Sequence, residues 1–142
     1  AGFTYSSHPV CCVAALKNIE IMEREKLFDN VREVGAYFEE QLHTLMDLPI
    51  VGDVRGKLFM MCVVNVMDKE TREFFPAEVK IGKRVSDHCE ELGVIVRPVI
   101  DLNVMSPALT MTKADVDYIV PRLRQAIEWT IADLREEGYL PA

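Results

Sequence analysis

The stretch Leu58-Phe59-Met60-Met61-Cys62-Val63-Val64-Asn65-Val66-Met67 constrains the fold more than any other. Branched and sulfur-containing side chains at this density read as a strand. Side chains alternate along a strand, so Leu58, Met60, Cys62, Val64 and Val66 share one face, and Phe59, Met61, Val63 and Met67 share the other. Both faces are apolar, so both need cover. Either this is a central strand covered twice within its own domain, or its second face is covered by a domain beyond this chain.

The flanking pattern supplies partners. Ile50 to Arg55 reads as a strand before it, with Arg55-Gly56 between the two as a turn. Val94 to Ile100 and Leu102 to Ser106 read as a later strand pair, interrupted by Arg97-Pro98. Helical spacing marks four further segments. Ser7-His8-Pro9 starts the first, since Pro is tolerated in the first turn of a helix; its stripe is Cys12, Ala15, Leu16, Ile19 and Met22. Val10 to Leu16 is apolar nearly all round, which demands cover on more than one side. A second helix spans Leu27 to Met46, with Asp29, Arg32, Glu33, Glu39 and Glu40 on its wet face, and Leu48-Pro49 stops it. Pro76 opens a third, running to Leu92 with Gly93 as its C-cap. Thr112-Lys113-Ala114-Asp115 is a capping-box pattern before a fourth, in which Pro121 predicts a kink or a late start. The order helix, helix, strand, strand, helix, strand, strand, helix predicts an α+β layer rather than a doubly wound sheet.

At 142 residues the chain fits one domain with a substantial core. Its 16 basic and 23 acidic residues give a net charge of −7, which argues against nucleic acid as a partner, because phosphate-backbone affinity needs surplus Lys and Arg. No apolar run approaches the roughly 20 residues of a membrane helix, and the N-terminus lacks the order of a signal peptide, so no membrane partner and a cytoplasmic location are expected. Cys11, Cys12, Cys62 and Cys89 lack metal-ligand spacing and disulfide density; free buried thiols are expected. The chain opens at Ala1 without Met and reads as a piece of something longer.

Two places carry chemistry. Gly2-Phe3-Thr4-Tyr5-Ser6-Ser7-His8-Pro9 combines hydroxyls, a backbone-rich turn and a helix start, enough to hold a phosphate without Lys or Arg. Alternatively Ser7 caps the helix and the other hydroxyls meet solvent. Arg97, set among Val and Ile, can clamp a carboxylate at two points, or it is an edge Arg paired with Asp101. His43 and His88 lie beside charged residues on helices and are expected to be solvated.

Taken together, Gly2-Phe3-Thr4-Tyr5-Ser6-Ser7-His8-Pro9, Asp53-Val54-Arg55-Gly56-Lys57, Val96-Arg97-Pro98 and Met105-Ser106-Pro107 resemble, in order, HGxTYSGHP, VRGKGLM, RP and SPPL, motifs of the C-terminal part of class III (ω-amino acid or amine) aminotransferases. The resemblance implies a small C-terminal domain of a fold-type I enzyme dependent on pyridoxal 5'-phosphate, with a mostly antiparallel sheet of three to four strands and helices packed on it. It implies a homodimer with active sites at the subunit interface, acting on a small-molecule amine and a keto acid such as pyruvate. Residues 1–24 would then form a phosphate-contact turn and a helix linking to the large domain, and residues 25–142 the small domain. By the same resemblance, Phe3 and Thr4 contact the cofactor phosphate and Arg97 meets the substrate carboxylate. The Schiff-base lysine lies upstream in the family; none of the chain's lysines matches it, so this segment alone is expected to be inactive. Departures are Ala1 for His, Ser7 for Gly, Leu58 for the second Gly of RGKG, and Ala108 for Pro. Other readings are an independent α+β dimerisation or regulatory domain, or an aminomutase or decarboxylase on the same fold.

Overall fold

A computed structural model describes residues 2–141. Four strands, β1 (Val51–Lys57), β2 (Met60–Asn65), β3 (Arg97–Val99) and β4 (Leu102–Met105), form one antiparallel sheet in the order β1-β2-β4-β3. Among the described residues, four helices, α1 (Pro9–Arg24), α2 (Leu27–His43), α3 (Ile81–Glu91) and α4 (Lys113–Glu136), and two short 3-10 turns accompany the sheet. The α+β layer expected from the element order is what forms.

Register decides which side of the sheet is core. Met61 pairs with Met105 across β2 and β4, and Val63 with Val54 across β2 and β1, so these four share a face. All are buried in one cluster with Phe38 and Leu42 of α2, Val85 and Cys89 of α3, and Leu123, Ile127 and Leu134 of α4. The opposite face of β2 is covered only in part. Val64 and Val66 are buried, Cys62 is half-buried, and Met60 is 63% exposed. The strand that sequence reading gave two apolar faces therefore has one finished face and one open end.

Both hairpins turn on two residues, and both force a bulky side chain into the left-handed region. Leu58 (φ 54) leads the Leu58-Phe59 turn between β1 and β2, and Ile100 (φ 55) leads the Ile100-Asp101 turn between β3 and β4. Glycine normally fills such positions, because a Cβ crowds the following carbonyl there. Ahead of the first turn, Gly56 has φ 128, and a Cβ on it would lie 2.0 Å from the Met60 carbonyl oxygen. Arg55-Gly56 thus lies within β1, one step before the turn rather than in it. Buried polar groups tie the second hairpin down. Asn65 Nδ2 donates to Asn103 Oδ1 (2.8 Å) and to the Asp101 carbonyl (2.9 Å), while Asn103 Nδ2 donates to the Gly82 carbonyl at 2.8 Å. Gly82 N–H in turn donates to the Ile100 carbonyl at 3.2 Å, joining the start of α3 to the turn.

Helix boundaries differ from expectation: α2 ends at His43 rather than Met46, because the chain tightens into a 3-10 turn over Thr44–Asp47. Pro76 does not open α3: a 3-10 turn, Ala77–Val79, and Lys80 at φ 51 intervene before α3 starts at Ile81. The left-handed residue breaks the helical run, and Val79 is buried instead as an anchor. Gly93 does end α3 with φ 79, letting Val94 N–H reach the Cys89 carbonyl at 2.8 Å. The capping box at Thr112 and Asp115 forms as read, so α4 starts at Lys113 and Pro121 marks no late start. Pro121 removes only the amide that would reach the Asp117 carbonyl. The helix runs through it because Val116, Val120, Leu123 and Ile127 are buried on both sides of the gap.

The expectation of buried thiols holds for Cys89 alone, whose thiol burial pushes up to about 12. Cys62 is half-buried and raised for the same reason, while Cys11 and Cys12 are exposed, because α1 buries none of its side chains.

Candidate active-site segment

Residues 2–8 form two consecutive tight turns. Ser6 N–H donates to the Phe3 carbonyl at 2.9 Å, and His8 N–H to the Tyr5 carbonyl at 3.2 Å. Ser6 Oγ accepts the Phe3 N–H at 3.1 Å, closing the first turn from its side chain. Pro9 then takes the first position of α1, as the sequence suggested, but Ser7 is not the cap. His8 occupies the N-cap position without a side-chain bond, and Ser7 stands at φ 60. Ser7 therefore adopts the backbone conformation for which glycine is suited.

These turns leave donors available. Among the described residues, the Thr4 N–H, the Tyr5 N–H and the Thr4 hydroxyl have no partner, and Thr4 is exposed. Phe3 and Tyr5 are each 78% exposed. An exposed turn with unpaired amides and a hydroxyl at a helix start can accept an oxyanion. The following helix extends the open surface through Val10, Val13, Leu16 and Ile19, all more than half exposed. The apolar-all-round expectation for residues 10–16 is thus met by a helix without cover among the described residues.

Arg97 opens β3, an edge strand, facing Val104 in register. It is exposed and, among the described residues, pairs with no carboxylate. The alternative in which Asp101 is its mate is not what forms: Asp101 sits in the hairpin turn, its carboxyl raised above the usual range by burial. Arg97 instead lines a cleft of about 790 Å³ with Ser106 and Pro107, so two of the separated motifs meet there. Among the described residues no hydrogen bond or ion pair joins residues 2–8 to Arg97.

Arg55, on β1, holds Asp53 at 3.0 Å on the exposed end of the strand. The turn after it depends on a residue that sequence reading left on the wet face of α2. Glu39 accepts Lys57 Nζ at 3.0 Å and the Leu58 N–H at 3.3 Å, and these two bonds hold its carboxyl below the usual carboxylate range. Nothing in the sequence links positions so far apart. His43 is exposed as expected, but His88 is not solvated: its Nε2 lies 2.9 Å from Asp133 Oδ2 and its ring edges against Trp129, between α3 and α4.

The family model for class-III aminotransferases matches residues 1–127. An adenosylmethionine-8-amino-7-oxononanoate aminotransferase of Methanocaldococcus jannaschii is 36% identical over 127 residues, covering 89% of this chain and 28% of that protein. A putrescine–pyruvate aminotransferase of Pseudomonas aeruginosa is 35% identical over 132 residues, covering 92% and 29%. Among solved structures, the PMP-bound form of an aminotransferase from Vibrio fluvialis superposes with a TM-score of 0.88 at 35% identity, over 93% of this chain and 29% of that one. The chain therefore spans less than a third of the length of each. Among the described residues no helix is long and apolar enough to cross a membrane. With the family model covering most of its length and its fold shared with solved members, this chain belongs to the class-III aminotransferases.

Proposed function

We propose that this chain is the C-terminal segment of a pyridoxal 5'-phosphate-dependent transaminase that moves an amino group from an amine or ω-amino acid to a keto acid such as pyruvate. The observation that carries the reading is the exposed turn at residues 2–8, where the Thr4 hydroxyl and the Thr4 and Tyr5 amides lack partners among the described residues. That donor set fits a phosphate, since hydroxyls and N–H groups at a helix start are what an oxyanion needs. The Thr4 hydroxyl and the N–H of the Phe3–Thr4 peptide hold the phosphate of a cofactor bound mainly by the neighbouring subunit of a homodimer. Residues 1–24 serve as the link to the large domain, and residues 25–142 as the small domain. Arg97, on an edge strand and without a carboxylate partner among the described residues, receives the substrate carboxylate. The cofactor, when bound, supplies the electrophile and electron sink for amino transfer. The chain's own contribution is to fix the phosphate and orient the carboxylate. Without an upstream lysine this segment is inactive alone.

The test uses the full-length protein carrying this segment, supplied with pyridoxal phosphate, an amine and pyruvate, with alanine formation followed. Thr4→Ala should raise the cofactor concentration for half-saturation at least ~10-fold, the loss of one bond to a charged group. Arg97→Gln should raise KM for pyruvate and leave the half-reaction with an amine lacking a carboxylate, followed without pyruvate, nearly unchanged. Absence of alanine with every amine tried would overturn the reading. A product that retains its nitrogen would assign the aminomutase alternative.

A further inference from the structure

The cleft beside Arg97 is chemically one-sided. Val94 and Val96 are 7% and 3% exposed, whereas Ile95 is 88% exposed and Arg97 is exposed, the alternation of an extended chain. Ile95 and Arg97 therefore project to the same side, about 7 Å apart at two strand steps. Val104, opposite Arg97 in register, and Met60, 63% exposed, carry apolar surface onward from the guanidinium. Ser106 Oγ donates to Met60 Sδ at 3.1 Å, so its hydroxyl is already engaged. Among the described residues, Arg97 is the only ionised side chain lining the cleft.

One cation beside apolar surface recognises one carboxylate with an apolar tail. A second carboxylate laid on Ile95 and Met60 would find no cationic partner there and would forgo the apolar contact that an aliphatic chain makes. Resting on the transaminase reading above, we infer that this segment selects monocarboxylates bearing an extended apolar chain: Arg97 holds the carboxylate, Ile95, Met60 and Val104 receive the tail, and dicarboxylates are rejected. Ile95 and Met60 are specificity determinants, and they take no part in the chemistry.

The full-length protein, loaded with pyridoxamine phosphate, is mixed in single turnovers with 2-oxooctanoate, pyruvate or 2-oxoglutarate. The expected order of rate constant over apparent affinity is 2-oxooctanoate, then pyruvate, then 2-oxoglutarate. Ile95→Ala should lower the ratio of 2-oxooctanoate to pyruvate about tenfold, the scale at which apolar pockets discriminate methylenes. Ile95→Lys should invert the ratio of 2-oxooctanoate to 2-oxoglutarate. Calorimetric titration with octanoate and glutarate gives a readout independent of turnover, with octanoate at least ~10-fold tighter and Ile95→Ala removing that margin. Turnover with unchanged ratios in both variants, or glutarate binding as tightly as octanoate, overturns the inference while leaving transamination intact. No turnover with any of the three acids overturns the transaminase reading, and the two titrations then decide the inference by themselves.

Discussion

Gly35 and Leu58 form a coupled pair whose energetics can be worked from the structure. Gly35 lies on α2, where alanine is normally better than glycine by about 1 kcal/mol. Here a Cβ on Gly35 would stand 2.7 Å from Leu58 Cβ, 3.0 Å from Leu58 Cα and 3.3 Å from its carbonyl carbon. These are root and backbone atoms, which no rotamer change can withdraw, so the turn or the helix must shift. Overpacking of this kind costs about 1–3 kcal/mol. Gly35→Ala should therefore destabilise by about 1 kcal/mol net, the clash exceeding the propensity gain. Leu58→Gly relieves a left-handed Cβ worth about 1–2 kcal/mol. It also loses part of the burial of a leucine and loosens the unfolded chain, so alone it should be near neutral. In the Leu58→Gly background the shortest contact is gone, and Gly35→Ala should lose most of its penalty. The interaction energy should be about 1–2 kcal/mol, measured by urea unfolding of the four proteins with Trp129 fluorescence and circular dichroism, at constant m. Additivity within about 0.5 kcal/mol would refute the geometry.

Three further outcomes follow from other contacts. Gly56→Ala, at φ 128 with a Cβ 2.0 Å from a carbonyl oxygen, should destabilise by about 3 kcal/mol or more and open the first hairpin, measured by the same unfolding assay and by amide exchange of β1 and β2. An aromatic disulfide reagent should label Cys11 and Cys12 of this chain rapidly, Cys62 slowly and Cys89 only on unfolding, read by mass spectrometry, since burial raises the last two thiols. Asp115 is held below the usual carboxylate range by the side chain of Thr112 first and its backbone second, so its folded pKa is depressed. A depressed carboxylate stabilises above its unfolded pKa and loses that contribution as pH falls through the folded value. Thr112→Ala should therefore cost stability at neutral pH and cost less in acid, measured by unfolding from pH 7 down to pH ~2, across the carboxylate range.

Element types were legible because local patterns carry them. The β2 alternation put Phe59, Met61 and Val63 on one face, which folding makes the core, and the capping box marked the start of α4. What escaped was long-range or conformational. Glu39 and His88 sit beside other charges in sequence, and only folding brings Lys57 to one and Asp133 and Trp129 to the other. Asn65 and Asn103 lie in apolar strands without distinctive neighbours, yet they join two strands to the start of α3. The start of α3 is not legible in the sequence, because Pro76 signals a helix as readily as the 3-10 turn that forms, and a left-handed Lys80 leaves no trace in composition. Of the candidate site, the turn and Arg97 were legible as separate motifs; the cleft joining Arg97 to Ser106 and Pro107 was not, since it needs the sheet order.

Two departures from the family's motifs bear on how such motifs should be read. Ser7 and Leu58 replace glycines, and both stand at positive φ, 60 and 54. Both positions thus hold a backbone conformation that glycine enters freely, with another residue in it. At Ser7 the substitution is mild, because nothing in the turn requires the side chain to be buried and small polar residues tolerate the left-handed region better than branched ones. At Leu58 it is not mild, and the compensation is visible: Glu39 accepts the Leu58 N–H, and a helical glycine at position 35 makes room for its Cβ. The strain at Leu58 is thus held by contacts from α2 rather than by the turn itself. Glu39→Gln should therefore weaken the first hairpin in this chain and should matter much less after Leu58→Gly, because a glycine needs no brace. Amide exchange of Met60 and Met61 in the two backgrounds measures this, and equal protection losses would show that Glu39 serves Lys57 alone.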